Sequence, residues 1–171
     1  MKLTKLIFLF ALSVVAFSCS SDDDGGPAPY EYNKDNLTGT YAIVSFQSKE
    51  VETVNVSGFD VVTTTTSIGD TFDFSAVFAS NNTLTVNGTY RISETVTQGN
   101  QTSSDTYIVV VNNETGGYVV NSATSELTLD GDTYQVSNFS PTGFQLNLSE
   151  TTTEPNGDNT VYTEELRFTK E

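Results

Sequence analysis

The chain has no histidine, no tryptophan and a single cysteine, Cys19, in 171 residues. Without imidazole there is no His general base, no His-ligated zinc site and no Cys–His nucleophile. One thiol cannot close a disulfide within the chain, so the fold must rest on its core alone. Positive charge is scarce as well: 7 Lys and Arg stand against 22 Asp and Glu, for a formal net charge of −15. Lys2 and Lys5 lie at the extreme N-terminus, which leaves five cations against all 22 acids in the rest. Such a chain repels nucleic acid and anionic lipid surfaces, because phosphate binding needs clustered cations that displace counterions. No nucleic-acid partner is expected. Long apolar runs are also missing. The longest, Leu6–Phe17, spans twelve residues broken only by Ser13, short of the ~20 that a membrane-spanning helix needs.

What is abundant points to strands. There are 27 threonines and 18 serines, with 8 tyrosines and 11 phenylalanines, and β-branched and aromatic side chains fit a pleated surface. In "TFDFSAVF", Phe72, Phe74, Ala76 and Phe78 fall on one face, with Thr71, Asp73, Ser75 and Val77 on the other. The next run, "TLTVNGTYRIS", sends Leu84, Val86, Gly88, Tyr90 and Ile92 to one side. This period of two is that of half-buried strands. "DTYIVVVN", "ELTLDG", "DTYQVSNF", "GFQLNLSETTT" and "TVYTEELRFTK" supply more. "ASNNT", Asp130-Gly131 and Asn156-Gly157 supply hairpin turns, where glycine tolerates positive φ. No window shows helical spacing. The expected fold is all-β, a single antiparallel up-and-down barrel of about 8–10 strands, since sequential hairpins suit a meander and closure removes exposed edges.

The N-terminus reads as an address. Two lysines before a short apolar stretch make residues 1–18 a cleaved export signal. The junction Val15-Ala16-Phe17-Ser18-Cys19 resembles the lipobox of bacterial lipoproteins. That resemblance implies a diacylglycerol thioether on Cys19 and a membrane partner reached through the lipid. It also implies an outer-membrane location, since Ser20 rather than aspartate follows the cysteine. "CSSDDD" resembles the acidic signals of surface-exported lipoproteins, and it reads equally as a solvated spacer. Residues 19–36, acidic and carrying Gly25, Gly26, Pro27 and Pro29, are expected to be a tether with an r.m.s. span of roughly 20–25 Å. The folded domain is expected over 37–171.

That domain opens with "NLTGTYAIVSFQSKE", in which Leu37, Gly39 and Thr40 match the Leu-x-Gly-Thr-Trp start of lipocalin-like domains and Tyr41 stands in place of the tryptophan. The Phe-rich hairpin "FDFSAVFASNNTLTVNGTYRIS" and the closing "DTYQVSNFSPTGFQLNLSE" and "EELRFTKE" resemble the same family's layout. The resemblance implies an up-and-down barrel with a cup for an apolar ligand. Strand parity nominates Phe72, Phe74, Phe78, Leu84, Val86, Tyr90, Tyr134, Phe144, Leu146 and Phe168 as lumen residues. An eight-stranded barrel is just wide enough to be filled by such side chains or to hold one small ligand. Two readings therefore stand: a surface lipoprotein with a small lipophilic ligand, or an accessory protein-interaction module of the envelope with a fully packed barrel and an unknown protein partner.

Catalysis is not expected, and neither is a metal or cofactor. Glu164 and Glu165 point to opposite faces of a strand, as do residues three apart such as Asp70 and Asp73 in a regular strand. Solvated acidic surface accounts for both pairs. "LDGDTY" and "PNGDN" offer turn oxygens but do not match a calcium loop.

Overall fold

A computed structural model describes residues 29–171. The expected export signal, Cys19 and the expected tether up to residue 28 lie outside the described residues. A four-residue helix, α1 (Lys34–Leu37), precedes β1 (Gly39–Val56), β2 (Phe59–Phe78), β3 (Thr83–Gln98) and β4 (Gln101–Asn121). β5 (Glu126–Leu129), β6 (Asp132–Ser140), β7 (Gly143–Thr153) and β8 (Asn159–Lys170) complete the chain. Each strand pairs antiparallel with the next, and β8 pairs with β1 from Tyr41↔Lys170 to Thr53↔Asn159, so the sheet closes on itself. The fold is an eight-stranded up-and-down barrel, at the lower end of the expected strand number.

The turns follow their chemistry. Asp130 (φ 50°) and Gly131 (φ 110°) both take positive φ between β5 and β6, as do Ser57 (φ 54°) and Gly58 (φ 88°) between β1 and β2. Two successive left-handed residues match the right-handed twist of the flanking strands. Register shifts interrupt the ladders at Ala42/Phe46 in β1 and Asp70/Asp73 in β2, where Thr71 has φ 53°. Each such bulge reverses which residues face inward. Phe72, Phe74, Ala76 and Phe78 face in as expected, but upstream of the bulge Ser67 is buried while Ile68 is exposed.

One end of the barrel is packed solid. Leu37, Tyr41, Phe78, Tyr118, Leu127 and Leu146 are almost wholly buried there. Phe78 makes edge-to-face contacts with Tyr41, Tyr118, Phe144 and Phe168, and Phe144 stacks on Phe168 with centroids 4.7 Å apart. α1, begun by Asn33 accepting a bond from the Asn36 N–H, closes this end with Leu37. The folded unit starts earlier than the sequence suggests. Tyr30 stacks on Phe139, and Tyr32 packs edge-on against the same ring and donates its hydroxyl to the Glu126 carbonyl. These two tyrosines have no alternating neighbours, so strand parity does not reveal them.

The other end is open, and unevenly so. β5 is only four residues long, and it pairs with β4 over Tyr118–Asn121 alone. The β6–β7 ladder stops at Gln135↔Asn147. Among the described residues no strand pairs with the far edge of β4 over 101–117, or with that of β7 over 148–153. The wall is therefore low at β5–β6, and a lateral slot lies between two free edges.

Candidate functional site

Above the packed end lies a cavity of about 250 Å³. Its wall comes from β1 (Ile43, Phe46), β2 (Phe72, Phe74, Ala76), β3 (Leu84, Val86, Tyr90), β5 (Leu129) and β8 (Glu164, Leu166, Phe168). Six of the lumen residues nominated by parity, Phe72, Phe74, Leu84, Val86, Tyr90 and Phe168, line it. Phe78, Phe144 and Leu146 belong instead to the packed end. Tyr134 is buried and turns its hydroxyl to the Glu164 carboxylate, 3.2 Å away. The lumen is thus divided: filled near α1, hollow beyond it.

Tyr90 is the centre of the aromatic wall. Its ring stacks on Phe72 at 5.9 Å, meets Phe74 edge-on at 5.5 Å and lies 6.2 Å from Phe46. Its hydroxyl makes no hydrogen bond to another described residue. Burial raises its pKa, with the Glu164 and Tyr107 charges adding to the effect.

Glu164 is the one charged lining residue, and sequence reasoning misplaced it. It reads there as solvated surface, yet its parity with Leu166 and Phe168 carries it inside. Its two carboxylate oxygens accept separately from Tyr134 (3.2 Å) and Tyr162 (2.5 Å). Burial holds both tyrosines protonated well above their ordinary range, and the neighbouring carboxylate reinforces this. Glu165 does point the other way, as expected, and pairs with Arg167 at 2.9 Å on the outside.

The Asp70/Asp73 expectation needs a correction. It assumed a regular strand, but the bulge at Thr71 sets Asp70 opposite Arg91 and Asp73 opposite Thr89, which share the outer face of β3. Asp70 takes two 2.7 Å bonds from the Arg91 guanidinium, which lower its pKa. Its carboxylate is committed to that pair.

The exterior is mixed: Gln47, Lys49, Thr128, Gln135, Gln145, Asn147 and Arg167 occupy outward positions on five strands, and Ile68, Val77, Ile108, Val110 and Val119 are exposed as well. A shallower depression of about 420 Å³ lies outside over β1, β2, β7 and β8, lined by Gln47, Lys49, Thr66, Asn147, Glu164 and Glu165 among others, so Glu164 borders both hollows. It is larger than the lumen cavity but broadly open to solvent, and its lining is mixed. No helix among the described residues is long and apolar enough to cross a membrane.

No family model matches this chain, and no curated protein does. Two solved structures are weakly similar to it. An S-type phycobiliprotein lyase, CPES, from Guillardia theta is 9% identical, covering 81% of this chain and 90% of its own, with a TM-score of 0.27. Ail, the attachment invasion locus protein of Yersinia pestis, is 9% identical, covering 79% of this chain and 100% of its own, with a TM-score of 0.24. Overlaps this loose carry no argument about function, so the closed barrel rests on its own strand register.

Proposed function

We propose that this chain is a non-catalytic lipoprotein of the outer membrane, exposed at the cell surface, whose lipocalin-like barrel holds a small lipophilic molecule. The observation that carries the reading is the hollow, aromatic-walled half of the lumen, bounded by Phe46, Phe72, Phe74, Tyr90, Leu166 and Phe168. Apolar walls with a few placed polar groups are typical of small-molecule sites, and 250 Å³ lies just under the ~300–1,000 Å³ usual for drug-sized ligands. A small occupant fits, and the slot beside β4 gives it a lateral path. The lipobox-like run ending in Cys19, followed by "SSDDD", supports the anchored location.

Native mass spectrometry of protein extracted gently from membranes tests this reading. The expected spectrum shows a retained small molecule, lost when the protein is denatured, and diacylglycerol on Cys19 in both states. An unliganded barrel that also fails to shift a lipophilic dye would overturn the ligand reading. One observation favours the alternative of an interaction module: the free edge of β4, where Tyr107, Ile108 and Val110 are exposed. Under that alternative, cross-linking in intact cells recovers a stoichiometric protein partner through β4, and the cavity stays empty.

A further inference from the structure

We infer that the lumen selects a cation: its ligand carries an ammonium or similar positive group on a small apolar body. This rests on the ligand-binding reading above and adds the charge of the ligand to it. The cavity places a carboxylate, Glu164, within the same wall as the rings of Phe46, Phe72, Phe74 and Tyr90. Aromatic faces attract cations through their quadrupole, and the attraction grows when the cation is desolvated. An anionic oxygen beside such faces completes the set that holds an organic ammonium.

Among the described residues no cation is paired with Glu164. The described residues include five Lys and Arg, and each is occupied or directed elsewhere. Arg91 is bound to Asp70 and Arg167 to Glu165, both on the outer face. Lys170 donates to the carbonyls of Asn36 and Thr38 at the packed end, and Lys34 belongs to α1 at that same end. Lys49 pairs across to Thr66 and Thr163, neighbours of the inward Ser67 and Tyr162, and so faces outward; it lines the outer depression that Glu164 also borders, but makes no salt bridge to it.

The approach to the cavity is acidic. Glu50 and Glu150 both lie directly opposite the inward Tyr162, and Glu94 lies opposite Asp105 and the buried Ser67. Cross-strand partners share a face, so these four carboxylates border the mouth. Among the described residues no three acidic groups are close enough to share a metal ion. Spread along the mouth, they raise the local concentration of cations generally, while the apolar wall behind Glu164 favours an organic one.

Three probes that share one ring and differ in charge test the inference on the full chain purified from membranes into zwitterionic lipid nanodiscs, with empty nanodiscs as the blank. They are benzyltrimethylammonium, benzyl alcohol and phenylacetate, followed by isothermal titration calorimetry. The expected order is cation tightest, by about ten-fold over the alcohol, with the carboxylate weakest, and an advantage that shrinks as salt rises. Glu164→Gln is expected to abolish the preference, so that cation and alcohol bind this variant with equal affinity. The order among the three probes is read on the unmodified chain, so it stands even where that variant fails to fold. Equal binding of cation and alcohol would overturn the charge preference while leaving a lipophile site in place. Binding of none of the three would remove the ligand reading itself.

Discussion

Phe78 and Phe72 are the same residue type on one face of one strand, and they are expected to answer truncation differently. Phe78 is almost wholly buried and touches four aromatic rings. Phe78→Ala is therefore expected to cost about 3–5 kcal/mol, the range for a large core ring replaced by a methyl group. Phe72 borders the cavity and is only half-buried, so Phe72→Ala should cost roughly half as much and weaken binding of the proposed lumen ligand. Denaturant titrations of the two variants read the difference. Gly88 is constrained from the opposite direction, by lack of room. It has φ 134°, and a Cβ there would lie 2.7 Å from the Cα of Phe74 and run into the Asp73 carbonyl across the ladder. Gly88→Ala is expected to lose about 2 kcal/mol or more, seen as a lower denaturation midpoint with an unchanged slope. The buried tyrosines set an alkaline limit. Burial, with Tyr30 and Tyr118 nearby, pushes Tyr41 up to about 12 from an ordinary value of 10.0, and Tyr32, Tyr134 and Tyr162 are raised in the same sense. The folded state thus holds these protons more tightly than the unfolded chain does. The associated stability is complete below pH 10, the unfolded value, and is lost as pH climbs towards about 12. Denaturant midpoints measured between pH 8 and 12 should be flat at first and then fall, together with ionisation of tyrosine in the ultraviolet spectrum.

At the scale of the strand, alternation made most of the barrel legible. β5, β6, β7 and β8 coincide with the runs read from "ELTLDG", "DTYQVSNF", "GFQLNLSETTT" and "TVYTEELRFTK", because few irregularities interrupt them. The legibility ended where a bulge reset the parity. In β2 a single residue, Thr71, exchanges the roles of Ser67 and Ile68, and nothing in "TTTTSIGDT" announces it. The candidate site divided along another line. Parity assigns residues to the lumen but carries no depth along the axis, so it grouped Phe144 and Leu146 of the packed end with Phe74 and Tyr90 of the cavity. Glu164 was hidden by its chemistry rather than by its position: an acidic residue reads as surface until its neighbours at the same parity are followed inward. β4 has a distinct consequence. Among the described residues its 101–117 edge has no strand partner, beside "TYIVVV", an uncharged run that is apolar on both faces. Free apolar edges of this kind template strand pairing between molecules. Val110→Lys, at an exposed outward position, is expected to change folding stability by less than about 0.5 kcal/mol yet to delay aggregation on prolonged incubation. Light scattering on matched samples of the two proteins measures this.

For the whole molecule, fold and location are separable. Among the described residues the packing begins at Tyr30, with Tyr30 and Tyr32 on Phe139 and Leu37 in the closed end, and these contacts are expected to form whatever is attached at Cys19. The location proposed above depends on that attachment alone. Each buried methylene of an acyl chain contributes ~0.8 kcal/mol; one chain holds a protein only marginally, and two or three hold it effectively for good. A net charge of −15 repels an anionic bilayer. Cys19→Ser is therefore expected to move the protein entirely from the membrane pellet to the supernatant after a carbonate wash and to abolish incorporation of labelled palmitate. Its far-ultraviolet circular dichroism and denaturation midpoint should stay those of the parent. Retention of the Cys19→Ser chain in the pellet would mean that the sheet itself contacts the membrane, and the free edge of β4, with Tyr107, Ile108 and Val110 exposed, would be the surface to test next.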